Sequence, residues 1–150
     1  MKGFAERRFS VTHHYDLLDR LRAQGHRLTP QRDMILLAVH DAGGHVSAEE
    51  VHQQVLAQNP QVDLSTVYRT LELLMEMGIV YRSDMGDGTS RYELAEEEMH
   101  HHLVCRRCGQ VIDLSHELLE PLQERLLADH GFAADLTHVV FQGLCKTCRP

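Results

Sequence analysis

Tryptophan is absent from this 150-residue sequence, and aromatic residues make up only 5% of it. A hydrophobic core therefore has to be built from Leu, Val, Ile and Met side chains. Long hydrophobic runs are also lacking, since the longest, at residues 34–39, is far too short to cross a bilayer. The first 19 residues contain no apolar core of the kind that signal peptides carry. We therefore expect a cytoplasmic protein with no membrane segment.

No cysteine is left over once the cysteines are grouped. All of them fall into two Cys-x-x-Cys pairs, which are Cys105 with Cys108 and Cys145 with Cys148. Disulfides are rare in a reducing cytosol. Two such pairs favour a closed tetrahedral zinc site with a structural role, while redox-active pairs are the alternative.

Acidic residues exceed basic ones, and the net charge of −7 argues against a general polyanion binder. The distribution is uneven, however. Residues 1–32 carry seven Lys and Arg against three Asp and Glu, whereas residues 93–150 carry five against ten. This asymmetry suggests that the leading portion meets phosphates and the trailing half meets cations.

The first 94 residues contain signals for four helices and a hairpin. A helix is predicted at 15–24, and the next three are predicted to begin at caps formed by Thr29, Ser47 and Ser65. Two short strands, 79–82 and 90–94, flank a Gly-containing turn. This is the layout of a winged helix, in which the fourth helix would enter the major groove of DNA.

An acidic connector at 95–99 marks the predicted boundary between domains 1–94 and 95–150. The second part predicts two strands around the first cysteine pair, a helix at 117–130 and a last strand at 136–142. Because a three-stranded sheet with one helix buries little alone, we expect a homodimer. The fold class is therefore α+β, with a winged-helix domain and a small α/β dimerisation domain.

Three consecutive histidines stand just before the first cysteine pair. On a strand, His100 and His102 point to one side and His101 to the other. With Glu93 and Asp113 nearby they form a mixed nitrogen and oxygen site, which suits Fe(II), Mn(II), Zn(II) or Ni(II). A cluster of surface histidines without a metal is the alternative.

Four motifs in this order resemble the ferric uptake regulator family of bacterial metal-dependent repressors, over about residues 15–150. They are Arg27-Leu-Thr-Pro-Gln-Arg32, His45-Val-Ser-Ala-Glu49, Ser65-Thr-Val-Tyr-Arg-Thr-Leu71 and the segment from His100 to Gly109 with its first cysteine pair. The resemblance implies a homodimer that binds a palindromic, AT-rich double-stranded DNA operator as a repressor when its regulatory site is loaded. It also implies that the four cysteines hold structural Zn(II).

The resemblance further implies a set of site residues. The regulatory metal is expected at His45, Glu93, His100, His102 and Asp113, and a possible third site at His101, Glu120 and His138. The residues expected at DNA are Arg32, Ser65, Thr66, Tyr68 and Arg69.

The identity of the regulatory metal is a choice between close relatives. Glu93 favours the iron-type site, while Asp113 is the residue type found in peroxide sensors of the family. Ala95 stands where zinc-uptake regulators commonly have a fifth cysteine. We expect Fe(II), with Mn(II) or peroxide sensing as the alternative.

Two other classes of function are open to a histidine cluster. A zinc hydrolase would use it with Glu93 as general base, but no nucleophile motif or phosphate loop accompanies it. A metal buffer would bind metal with no change in DNA affinity. We expect a regulator rather than an enzyme.

Overall fold

The structure is a computed structural model that describes residues 11–95 and 100–150. Within these residues the chain divides into two compact units. One unit contains the chain up to Arg82 together with Ser90–Ala95, and the other contains Ser83–Thr89 together with the residues that follow the second gap. Most of the acidic connector predicted at 95–99 lies outside the described residues. No helix in the described part of the chain is long and apolar enough to cross a membrane.

The first unit is built from helices whose starts follow the predicted caps in two of three cases. Thr29 Oγ1 accepts a hydrogen bond from the Arg32 N–H at 3.3 Å, and Pro30 follows as the first helical residue. Ser47 and Glu50 form a reciprocal capping box, with bonds of 3.2 and 2.7 Å. The helices are α1 (Val11–Ala23), α2 (Pro30–Ala42), α3 (Ala48–Leu56) and α4 (Leu64–Glu76).

The start of α4 differs from the prediction. Asp63, and not Ser65, is the cap, and its Oδ1 accepts from the Thr66 N–H at 2.7 Å and from Ser65 Oγ at 2.9 Å. Aspartate and serine cap helices about equally well, and a carboxylate also interacts favourably with the positive end of the helix dipole. Asp63 comes first along the chain and therefore caps α4, and Ser65 lies inside the first turn of the helix.

The core of the first unit is aliphatic, as the lack of aromatic residues requires. Fully buried positions come from every helix and from the turn after α4, and include Leu17, Ile35, Val51, Leu71 and Ile79. Strands β1 (Val80–Asp84) and β2 (Ser90–Leu94) then form a two-stranded sheet. Helices followed by this hairpin make a winged helix, which confirms the predicted fold of this part.

The second unit contains the sheet that carries both cysteine pairs. Its order is β4 (Val111–Ser115), β3 (His100–Cys105), β5 (Val140–Gly143), with β3 antiparallel to β4 and parallel to β5. The parallel pair needs a long crossover, which contains a 3₁₀ turn and α5 (Glu120–His130). The predicted helix at 117–130 thus begins three residues later, because Pro121 has no N–H and fits only a first turn.

The register gives the sheet two different faces. His102 lies opposite Asp113 on one side and Val140 on the other, so these side chains share one face. Leu103 lies opposite Ile112 and Phe141, which share the other face. The alternation of β3 therefore places His102 beside Asp113 on one face and Leu103 between two apolar side chains on the other.

Candidate functional site

The four cysteines come together at one end of the second unit. Cys105 ends β3, and β5 runs parallel to it with Gly143 opposite Cys105, so Cys145 follows two residues later. All four Sγ atoms lie within 4.8 Å of one another, and the Sγ atoms of Cys108 and Cys145 are 3.8 Å apart. No disulfide joins them. With Zn–S bonds of about 2.3 Å, the edge of a tetrahedron is ~3.8 Å, so this cluster fits zinc.

Backbone N–H groups around the sulfurs favour the thiolate form of Cys105, which is the form that binds a metal cation. N–H groups of Cys145 and Cys108 donate toward Cys105 Sγ and lower the pKa of that thiol to about 6. Hydrogen bonding with the Cys145 side chain, followed by burial, raises the pKa of Cys148 to about 12. Cys105 therefore ionises more readily than Cys148, and a bound Zn²⁺ would displace the proton that Cys148 retains.

The first unit contributes one imidazole and one carboxylate in contact. Val46 and Tyr92 form an isolated antiparallel bridge, with N···O distances of 2.9 and 2.7 Å in the two directions. This bridge sets their neighbours His45 and Glu93 opposite each other, and His45 Nε2 lies 3.2 Å from Glu93 Oε2. The Glu93 side chain is only 8% exposed. The pair brings one nitrogen donor and one oxygen donor together, as a mixed-ligand metal site requires.

The second unit contributes three further imidazoles and a carboxylate. The ring centroids of His100, His102 and His138 are 4.8, 5.0 and 5.6 Å apart. His102 is buried, its Nδ1 lies 3.2 Å from Asp113 Oδ1, and its Nε2 lies 3.0 Å from His138 Nε2. Nitrogen and oxygen donors thus converge on one face of β3.

His101 lies on the other face of β3 in a different environment. Its Nδ1 accepts a hydrogen bond from the Val139 N–H at 3.1 Å, and its Nε2 lies 2.9 Å from His116 Nδ1. Burial, together with the neighbouring histidines, lowers the pKa of His101. The structure places His138 against His102 and leaves Glu120 exposed at the start of α5. Among the described residues, the donor atoms of His101, Glu120 and His138 do not lie close enough together to share one metal ion.

Four of the five predicted DNA-contacting residues lie on α4. Val67, Thr70, Leu71 and Leu74 are buried, and the opposite surface exposes Tyr68 and Arg69. Ser65 and Thr66 lie in the first turn, while Arg32 lies on α2 and donates from Nη1 to the Arg27 carbonyl at 2.7 Å. α4 therefore presents an aromatic ring and a guanidinium close to a helix N-terminus.

Three partner residues were missed from the sequence. Glu49 Oε1 accepts a hydrogen bond from Tyr68 Oη at 2.8 Å, His116 contacts His101, and Asp63 caps α4. The cap was detectable, since aspartate is a preferred cap residue. The other two contacts join residues that are 19 and 15 positions apart, and no local sequence pattern predicts them.

Comparison with known proteins gives one consistent result. The model of the ferric uptake regulator family matches residues 23–141. The ferric uptake regulation protein of Bacillus subtilis is 40% identical over 139 residues, covering 87% of this chain and 93% of that protein. The peroxide-responsive repressor PerR of Staphylococcus epidermidis is 31% identical over 131 residues, covering 86% and 85%.

A solved structure agrees with these relatives. The ferric uptake regulator of Pseudomonas aeruginosa with manganese superposes with a TM-score of 0.70 at 31% identity, covering 86% of this chain and 97% of that one. A winged helix joined to a sheet with thiolate and imidazole clusters is the architecture of a metal-dependent transcriptional repressor. The chain belongs to the ferric uptake regulator family.

Proposed function

We propose that this chain is an iron-responsive repressor, which binds a palindromic, AT-rich operator as a cytoplasmic homodimer when its regulatory site holds Fe(II). Residues 1–94 form the DNA-binding domain and residues 95–150 the metal-binding dimerisation domain. The observation that carries the proposal is that both units contain candidate donors for the regulatory metal. His45 and Glu93 are paired in one unit, and His100, His102 and Asp113 are grouped in the other.

A metal that uses donors from both units would act as a conformational switch. Bound there, a divalent cation would interact favourably with the buried Glu93 carboxylate. His45 and Glu93 can share that cation with His102 only in one relative orientation of the two domains. Metal then selects that orientation, and its effect on DNA affinity is limited by its differential affinity for the two states. A typical coupling is about 1–3 kcal/mol, or roughly 5–150-fold.

The DNA side of the proposal relies on the exposed surface of α4. Tyr68 offers a ring for apolar contact with bases, and Arg69 offers a fork of donors for phosphate or guanine. A homodimer carries two such helices, which would read successive major grooves of a palindrome. Affinity should fall steeply with salt, because phosphate contacts dominate it.

The dimer is supported by apolar surface on the second unit. Ile112, Leu118, Leu127, Phe132 and Phe141 are between 39% and 66% exposed in the single chain. Exposed apolar residues in this number on so small a unit indicate an interface. A second copy of the same chain would cover them and supply the core that the small sheet lacks.

Two residues of the proposed site favour different members of the family. Glu93 is typical of the iron-type site, whereas Asp113, 3.2 Å from His102, is the residue type of the family's peroxide sensors. The second candidate function is therefore a peroxide-responsive or Mn(II)-responsive repressor. Loss of operator binding by the Fe(II) form after peroxide treatment, with the Mn(II) form unaffected, would favour peroxide sensing.

The proposal is tested by fluorescence anisotropy of a labelled AT-rich palindromic duplex. Zinc-replete protein is titrated anaerobically with Fe(II), with Mn(II), or with neither. We expect affinity to rise about 10-fold or more with Fe(II). His45→Gln and His102→Gln should each remove this gain, because each deletes a donor from a different domain.

The controls identify the competing functions. Wild-type affinity that is equal with and without metal would contradict a metal-gated repressor and leave a buffer. Chelator-sensitive hydrolysis without any DNA affinity would instead indicate an enzyme. His52→Gln is the matched control, since His52 bonds to the Val62 carbonyl inside the first unit and should leave the metal response intact.

A further inference from the structure

His138 stands two residues before β5, at a position where the register continues the histidine face of β3. Because His102 pairs with Val140 in the parallel ladder, the position opposite His100 is residue 138. The side chains agree with this register. The His100 and His138 rings are 5.6 Å apart, and the His102 and His138 rings are 4.8 Å apart.

The contact between His102 and His138 has the dimensions of two donors on one metal. Their Nε2 atoms are 3.0 Å apart. Two nitrogens at about 2.1 Å from a metal are ~3.0 Å apart at a right angle and ~3.4 Å apart at the tetrahedral angle. The observed spacing therefore fits neighbouring ligands of an octahedral ion. An N–H···N hydrogen bond has a similar length, so the experiment must separate the two.

His101 cannot take the place of His138 on this face. Since His101 Nδ1 accepts from the Val139 N–H, its proton is on Nε2, which donates to His116 Nδ1. Both ring nitrogens of His101 are thus used in hydrogen bonds within the unit. His138 therefore belongs with His100 and His102, and not with His101 and Glu120.

We propose that His138 is a ligand of the regulatory metal, bound beside His102. This inference rests on the proposed function and adds an imidazole to the expected donor set. Imidazole favours Fe(II), Ni(II), Cu(II) and Zn(II), whereas carboxylate and water favour Mn(II). An added imidazole therefore biases the site toward Fe(II) over Mn(II).

The test compares His138→Gln with His116→Gln in the full-length, zinc-replete dimer. Each variant removes one member of a histidine pair, with nitrogens 3.0 or 2.9 Å apart, on opposite faces of β3. Co(II) is titrated while its ligand-field absorption is recorded. We expect His138→Gln to lower Co(II) affinity at least ~10-fold and to alter the spectrum, and His116→Gln to change neither.

A second measurement does not depend on a variant. In the Co(II)-loaded wild-type protein, paramagnetically shifted N–H proton resonances count the coordinated imidazoles. One such resonance assigned to His138 would support the inference, whereas shifted resonances assigned only to other histidines would overturn it. An unchanged Co(II) affinity and spectrum in His138→Gln would overturn it as well.

The two proposals fail in different ways. If wild-type operator affinity depends on metal and His138→Gln binds Co(II) normally, only the role of His138 is wrong. If wild-type operator affinity does not depend on metal, the proposed function is wrong whatever His138 binds.

Discussion

At the scale of single residues, α4 shows how neighbouring side chains divide their tasks. Tyr68 donates its hydroxyl hydrogen to Glu49 at 2.8 Å, and this hydrogen bond raises the pKa of Tyr68. The ring is thereby held at the helix surface as a neutral phenol. Arg69, one residue on, is exposed beside it and supplies the positive charge that Tyr68 lacks. α4 thus exposes a neutral aromatic ring and a positive charge at adjacent positions.

Arg69→Ala is expected to weaken binding of the metal-loaded protein to the operator by about 1–3 kcal/mol if Arg69 makes a bidentate hydrogen bond to a base. Arg69→Lys keeps the charge and separates the two roles. It should retain affinity if the contact is with phosphate and lose it if the contact is bidentate. Anisotropy measures both, with metal content by mass spectrometry as the control. Unchanged affinity in Arg69→Ala would remove Arg69 from the interface.

Cys108→Ser should release zinc and weaken the dimer. Three sulfurs cannot complete a closed tetrahedral site, and binding of zinc to thiolates contributes on the order of 10–16 kcal/mol at neutral pH. Zinc content and sedimentation velocity measure the two effects. Removal of zinc from the wild-type protein by a chelator should reproduce both. A stable dimer with full zinc content would contradict the structural role of the site.

The ligands were predictable to the extent that they carry local signals. Cys105 and Cys108 stand three apart, and His100 and His102 alternate along one strand. The contacts between Tyr68 and Glu49 and between His102 and His138 depend on tertiary packing and strand register. Their sequence separations of 19 and 36 residues leave no periodic trace, so only the structure reveals them.

At the scale of elements, the N-terminus of α4 depends on one side chain. Hydrogen bonding by Thr66, with a further bond from Ser65, lowers the pKa of Asp63 to about 2 from its usual 3.8. A depressed pKa means that the folded state favours the carboxylate. The contribution to stability is therefore full above about pH 4 and is lost as the pH falls toward 2.

Asp63→Ala is expected to lower the midpoint of thermal unfolding at pH 7, because two donors lose their acceptor. Asp63→Asn retains an acceptor and should lose less. The difference in unfolding midpoint between wild type and Asp63→Asn should disappear between pH 4 and pH 2, where the wild-type carboxylate takes up its proton. Calorimetry across this range measures the effect. A gap that is independent of pH would assign the stabilisation to something other than the charge of Asp63.

β3 is the element in which sequence pattern and structure agree most closely. Its alternation sends His100 and His102 to one face and Leu103 to the other, as the period of two predicts. The boundaries of its partners were harder to predict. The last strand was expected at 136–142 but begins at Val140, because pairing with β3 starts only there. The residue types of this segment predict a strand, but its first residue depends on the pairing with β3.

In the whole molecule, we expect the apolar face of the second unit to form the interface of the proposed homodimer. Val111 and Ile112 are adjacent on β4, 41% and 43% exposed, and point to opposite faces. Ile112→Asp should dissociate the dimer, since its face also carries Leu103 and Phe141. Val111→Asp has matched exposure and should dissociate it less. Sedimentation velocity measures both, and an undisturbed Ile112→Asp dimer would place the interface elsewhere.

The proposed function requires metal and DNA to favour the same conformation, and thermodynamic linkage makes their coupling measurable by titration of either one. If metal raises DNA affinity by some factor, DNA must raise metal affinity by the same factor. We would titrate Mn(II), as an air-stable substitute for Fe(II), into zinc-replete dimer by calorimetry, without duplex and with saturating duplex. We expect Mn(II) affinity to increase roughly 5–150-fold with the duplex and to match the factor from anisotropy. Equal Mn(II) affinity in both titrations would contradict the proposed function, because the histidine site would then be independent of DNA binding.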